Sequence, residues 1–72
     1  MEDWKQRVVE EYKQLHGRYE RLSAFITKYK AGTLPFTPNC PLCLLRMQAD
    51  TMRKYLDILE IRGKIEKINL VD

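Results

Sequence analysis

A repeating pattern of apolar side chains in the first half of the sequence constrains the fold of this chain most strongly. Apolar and aromatic residues recur there at alternating spacings of four and three: Val8, Tyr12, Leu15, Tyr19, Leu22, Ile26 and Tyr29. Such spacing places them all on one face of an α-helix, and charged residues occupy the other faces. The pattern therefore predicts an amphipathic helix over residues 3–30.

A segment rich in proline separates this helix from a second one. Gly32 suits the position just past a helix end, and three prolines then follow within the stretch PFTPNCP. We therefore expect a connection over residues 31–39. Asn39 is a suitable N-cap for a second helix, which we expect over residues 40–62 with its first turn containing Pro41.

The end of the chain is harder to assign from its pattern. Gly63 is a possible stop for the second helix, and residues 63–72 fit either a continued helix or a short extended tail. The connection is short, so the two helices should form an antiparallel hairpin within a single domain over residues 1–72. We predict an all-α fold.

The amount of apolar surface predicts that the hairpin does not act alone. A chain of 72 residues is at the size below which one core rarely supplies more than about 3–5 kcal/mol of stability. Four apolar residues near the end of the sequence are left outside the contact between the two helices: Ile61, Ile65, Ile68 and Leu70. Exposed apolar strips of this kind need a partner. We expect a homo-oligomeric helical bundle, either a dimer of hairpins or a larger ring.

Polar residues occupy an unusual place on the second helix. Its apolar residues form two flanks, one with Leu45, Met52, Leu56 and Leu59 and the other with Met47, Ile58, Ile61 and Ile65. The midline between the flanks holds Gln48, Thr51, Tyr55 and Arg62. If one flank packs within the hairpin and the other between subunits, these polar side chains line a crevice where helices meet.

Two functions fit such a crevice. Arginines next to aromatic rings can bind a nucleotide, because the guanidinium takes phosphate and the ring stacks on the base. Arg18 and Trp4 of the first helix would then join the midline residues. Alternatively, the same side chains form a buried polar network that fixes the register and the number of subunits.

The pair Cys40 and Cys43 gives a weaker signal. A CxxC in a first helical turn fits three interpretations: inert small side chains, half of a zinc site that a second copy or His16 would complete, or a redox motif. His16, the single histidine, falls on the polar side of its helix. No nucleophile and base pair can be built from these residues, so we expect neither an enzyme nor a cofactor.

Charge and hydropathy limit the remaining partners. The net charge is +3, but the 13 basic residues are interspersed with 10 acidic ones, which argues against duplex nucleic acid as a partner. No apolar run approaches the length of about 20 residues that spans a bilayer, and the first residues do not resemble a signal peptide. We expect no membrane association and a cytosolic location.

Two segments carry a resemblance to a known family. LHGRYERLSAFI (15–26) and LLRMQADTMRKYLDILEIR (44–62) resemble a family of very small phage-encoded helical-hairpin proteins, typified by one from crAss-like phages. The specific part of the shared pattern is Arg18, Gln48, Tyr55 and Arg62. The connection PFTPNCPLC departs from that pattern, so the cysteines should lie outside any family activity.

The resemblance implies a role in countering bacterial immunity. The chain is similar in kind to the phage anti-CBASS and anti-Thoeris sponge proteins, which sequester cyclic oligonucleotides or cyclic ADP-ribose-like signals between subunits. On this interpretation the phosphate is bound by Arg18 and Arg62, and the bases stack on Tyr55 and Trp4. Gln48 and Thr51 form hydrogen bonds with base edges or a ribose. The alternative is a phage interaction module that docks the apolar strip 61–70 onto a host protein and inhibits it.

Overall fold

The computed structural model describes residues 3–70 as two α-helices joined by an irregular connection. Helix α1 spans Asp3–Ala31 and helix α2 spans Leu42–Glu66. The described residues contain no strand, which confirms the predicted all-α class, and α1 packs against α2 as a hairpin requires. Residues 1–2 and 71–72 of the predicted domain and tail lie outside the described residues.

Helix α2 begins two residues later than the sequence predicts, and Asn39 does not cap it. Pro41 is the N-cap residue, with an extended backbone (φ −63, ψ 145) and no side-chain capping bond. Its carbonyl accepts the backbone N–H groups of Leu44 and Leu45 at 3.2 and 3.3 Å. A residue that precedes proline is disfavoured in the helical region, so Cys40 cannot continue a helix started at Asn39.

Helix α2 also ends later than the sequence predicts, because it passes through Gly63. The helix closes at Lys67, which adopts the left-handed conformation at φ 56. The Ile68 N–H then donates to the Gly63 carbonyl at 2.8 Å, a bond typical of a Schellman-type helix end. Residues 68–70 leave the helix as a short irregular tail.

The tail returns to the hairpin and completes its core. The main cluster of buried side chains is Val8, Tyr12, Leu56, Leu59 and Leu70, with Val9, Leu15, Tyr19 and Ile68 packed around it. Leu70 is 8% exposed, whereas Ile61 and Ile65 remain 58% and 71% exposed. The prediction of one continuous free strip through residues 61–70 was therefore wrong in its last part, because the chain reverses direction after Lys67.

Gly63 lies directly beneath this return of the chain. A Cβ at position 63 would lie 2.9 Å from Leu70 Cδ1 and 3.3 Å from the Ile68 carbonyl oxygen. The absence of a side chain lets Leu70 pack directly on the helix backbone, and Gly63 is buried beneath it. The glycine therefore serves close packing within the helix and does not stop it.

We expect Gly63→Ala to lower the free energy of unfolding by about 1 kcal/mol, although the same change in an ordinary helix interior adds about 1 kcal/mol. The new methyl group must displace Leu70, whose full burial contributes about 1.5–3 kcal/mol. In a Leu70→Ala background the substitution should instead stabilise the chain. Urea denaturation of the four proteins measures this reversal of sign, and stabilisation in both backgrounds would contradict the packing of Leu70 on Gly63.

Candidate functional site

One surface of α2 carries the polar midline residues together with exposed apolar side chains. We call this surface the open face, and its members are Leu44, Met47, Gln48, Thr51, Tyr55, Ile58, Ile61, Arg62 and Ile65, all of them exposed. Because their spacing follows the helical repeat of 3.6 residues, they project to one side of the helix. Single exposed apolar residues are ordinary, whereas a continuous row along a helix marks an interaction surface.

The two apolar flanks of α2 have different surroundings. In the first flank Leu56 and Leu59 are fully buried against α1, and Leu45 and Met52 are half-buried. In the other flank every residue is more than half exposed: Met47 63%, Ile58 54%, Ile61 58% and Ile65 71%. The first flank therefore closes the hairpin, and the second belongs to the open face.

The midline residues do not form a buried network within one chain. Gln48, Thr51, Tyr55 and Arg62 are all exposed, and no polar side chain is buried among residues 3–70. Thr51 donates its hydroxyl to the Met47 carbonyl at 3.0 Å, a bond internal to the helix. The polar groups of the open face are therefore available to a ligand or to another chain.

Contacts between the helices fix where α1 meets the open face. The Tyr12 hydroxyl donates to Glu60 Oε2 at 3.0 Å, and the Arg53 guanidinium lies 5.6 Å from the centre of the Tyr19 ring. Tyr12 is thus level with Glu60, and Tyr19, seven residues further along α1, is level with Arg53, seven residues earlier in α2. In this register Arg18 is level with the turn that contains Tyr55, and helical periodicity places both on the same side of the hairpin.

The predicted site residues are spread along the hairpin. Gln48 and Arg62 are separated by about 21 Å along the α2 axis, at 1.5 Å per residue. The register places Trp4, which is 40% exposed, about 9 Å along the axis beyond the level of Arg62. A single chain therefore brings Arg18 close to the level of Tyr55, but it does not gather all six residues around one small ligand.

The other side of the hairpin is closed by a polar network that the sequence analysis missed. Arg53 Nη2 donates to Asp57 Oδ1 at 2.8 Å and to Glu60 Oε2 at 2.9 Å, and Glu60 in turn accepts the Tyr12 hydroxyl. Burial and this hydrogen bond to Glu60 raise the pKa of Tyr12 above its ordinary value of 10.0. The tyrosine therefore remains a neutral donor, and the network joins the helices on the side away from the open face.

The cysteines and the histidine do not come together. Cys40 and Cys43 are free thiols, and His16 Nδ1 lies 2.9 Å from Glu20 Oε1 while its ring stacks on Tyr12. Within residues 3–70 no three histidine, cysteine, aspartate or glutamate side chains are grouped so that they could hold a metal ion. A zinc site that combines His16 with the cysteines is therefore not formed within one chain.

These features define a small all-helical hairpin with one closed side and one open, mixed polar and apolar side. Over residues 3–70 neither helix is long and apolar enough to cross a membrane. The Sequestin family model matches residues 2–65, and this chain belongs to the Sequestin family. Comparisons with curated proteins and with solved structures give no significant match. The matched range includes every residue predicted for the site and ends before the returning tail.

Proposed function

We propose that this protein sequesters a cyclic nucleotide or a cyclic ADP-ribose-type signal at an interface between copies of itself. The observation that carries the proposal is the open face, where exposed polar side chains follow the midline of an exposed apolar helix surface. The name of the Sequestin family supports a sequestering role. We further propose that the chain is encoded by a phage or prophage and counters anti-phage defence in the bacterial cytosol.

The exposed surface of the chain supports self-association. A compact monomer of 8.6 kDa has about 4700 Å² of accessible surface, whereas this chain has 5618 Å². The excess of about 900 Å² is close to the area of about 800 Å² that each partner buries in a standard interface. The radius of gyration of 15.1 Å likewise exceeds the value of about 11 Å for a compact domain of this length.

The open face, together with Arg18 and Trp4 of α1, has the chemistry that an anionic nucleotide requires. Arg18 and Arg62 are exposed, and neither forms a hydrogen bond or an ion pair with another side chain in residues 3–70. Each can offer a planar guanidinium to a phosphate. Tyr55 supplies a ring face for a base, and Trp4, whose ring centre lies 5.6 Å from Lys5 Nζ, is proposed to supply a second. The Gln48 amide and the Thr51 hydroxyl supply polar contacts. Sequestration needs affinity alone, so the proposal includes no catalytic group and no cofactor.

A thermal-shift panel tests the proposed function. The protein is melted alone and with cyclic dinucleotides, cyclic trinucleotides and cyclic ADP-ribose isomers. A bound signal at a hundredfold excess over its Kd stabilises the folded protein by about 2.7 kcal/mol. Since 1 kcal/mol moves the Tm of a domain of this size by about 4–8 °C, the shift should be about 10 °C or more. No shift with any compound would overturn the proposal in favour of a host-protein partner for Ile61 and Ile65.

A pair of arginine variants identifies the residue that binds the phosphate. We expect Arg62→Ala to remove the ligand-induced shift and to leave the mass of the oligomer unchanged. Arg46→Ala is the matched control, because Arg46 is also exposed on α2 but lies outside the open face; it should keep the shift. A change in oligomer mass for Arg62→Ala would instead assign Arg62 to fixing the assembly.

A further inference from the structure

We propose that two copies pair through the open faces of their α2 helices in antiparallel orientation, with the two-fold axis beside Tyr55. The inference rests on the proposed function, because it specifies the subunit interface at which the signal is held. The excess exposed surface of about 900 Å² is close to the area that each partner buries in a standard interface, so a second copy is a fitting occupant of the open face.

The spacing of the open-face residues is symmetric about its centre. Reversing the helix about a point between Lys54 and Tyr55 brings four pairs of open-face positions to the same levels: Leu44 with Ile65, Met47 with Arg62, Gln48 with Ile61, and Thr51 with Ile58. An isologous interface requires a patch that is complementary to itself in this way. Antiparallel α2 helices therefore meet with an open-face residue opposite another at each of these levels, and Tyr55 meets the exposed Lys54 of the second copy beside the two-fold axis.

Charge favours the antiparallel direction over the parallel one, because both directions bring the two Lys54 side chains near each other but only the parallel one also brings the two Arg62 side chains together. In a parallel pair each residue would face its own copy, so the two Arg62 guanidinium groups would lie together in an apolar seam. Like charges placed opposite one another at an interface are strongly unfavourable. In the antiparallel pair Arg62 faces Met47 of the second copy, where its alkyl chain can pack while its guanidinium reaches the rim.

The antiparallel register also assembles a site that one chain lacks. Within one chain Gln48 and Arg62 are separated by about 21 Å along the helix axis. The two-fold operation brings Gln48 of the second copy nearly level with Arg62: measured along the helix axis, the two residues are offset by about 1.5 Å. A phosphate-binding arginine and an amide thus come together from different subunits, and the pairing produces two such clefts related by the axis.

Disulfide trapping tests the direction and the register together. In a Cys40→Ser, Cys43→Ser background, Leu44→Cys and Ile65→Cys proteins are oxidised separately and as a mixture, with Glu10→Cys as a control for random collision. We expect the mixture to give the Leu44–Ile65 disulfide dimer and each protein alone to give little more than the control. Circular dichroism of each variant confirms that the helices are intact.

The other outcomes separate the failure of this inference from the failure of the proposed function. Efficient disulfide formation by each single variant with itself would show a parallel pair and overturn the register. No disulfide above the control in any sample, from a protein whose mass is still that of an oligomer, would show that another surface forms the interface. A folded monomer at micromolar concentration would overturn the proposed function itself, and with it the pairing.

Discussion

Truncation of Leu56 to alanine is expected to lower the free energy of unfolding by about 2–5 kcal/mol. The Leu56 side chain is 0% exposed between the helices, so its removal leaves a cavity as well as losing buried apolar surface. Since one core of this size supplies only about 3–5 kcal/mol, most of the isolated chain should unfold. Far-UV circular dichroism with urea denaturation measures the loss.

The same truncation at Leu44 is the matched control. Leu44 is 52% exposed in the single chain, so Leu44→Ala should have little effect at concentrations where the protein is monomeric. Its effect should emerge only as the concentration rises and copies associate, whereas the loss in Leu56→Ala is present throughout. Equal losses for the two variants in dilute solution would contradict the assignment of the Leu56 flank to the hairpin.

The second large effect is expected from a charge placed in the centre of the open face. Ile58 is 54% exposed, so an aspartate there remains hydrated in the single chain and the helices stay folded. At an interface the carboxylate would lose water. Ion pairing with Lys54 or Arg62, each one turn away on the same helix, does not offset that desolvation, which costs several kcal/mol. Each 1.4 kcal/mol corresponds to a tenfold change in affinity, so Ile58→Asp should weaken self-association by about a hundredfold or more.

Sedimentation equilibrium of Ile58→Asp should therefore find monomers, and the ligand-induced thermal shift should disappear with the interface. Ala24→Asp introduces the same charge at an exposed position of α1 outside the open face, and this control should keep both the assembly and the shift. An oligomer of unchanged mass for Ile58→Asp would show that the open face does not join the copies.

The sequence predicted the long helices well, because their signals are periodic and local. The heptad pattern placed α1 over residues 3–30, and the structure gives Asp3–Ala31. The ends of α2 depend on other interactions. The predicted start neglected the effect of Pro41 on the residue before it, and the predicted stop at Gly63 neglected Leu70, which packs on that glycine only after the chain has reversed. Contacts of this kind leave no local periodic signal.

The same distinction applies to the candidate site. The midline of α2 could be found from the sequence because its members share one helix and follow its repeat. The network of Arg53, Glu60 and Tyr12 joins both helices, and only the register of the hairpin reveals it. The proposed approach of Arg62 to Gln48 of a second copy has neither kind of signal, because it requires an interface between chains.

The mass of the folded protein in solution tests the central claim most directly, namely that the site lies between copies of the chain. Light scattering coupled to size-exclusion chromatography at micromolar concentration should give an even multiple of 8.6 kDa. Native mass spectrometry of protein taken from cells should give the same multiple, with any co-purified signal as added mass. A well-folded particle of 8.6 kDa at that concentration would contradict this claim, because no second copy would then pack against the open face to complete the site.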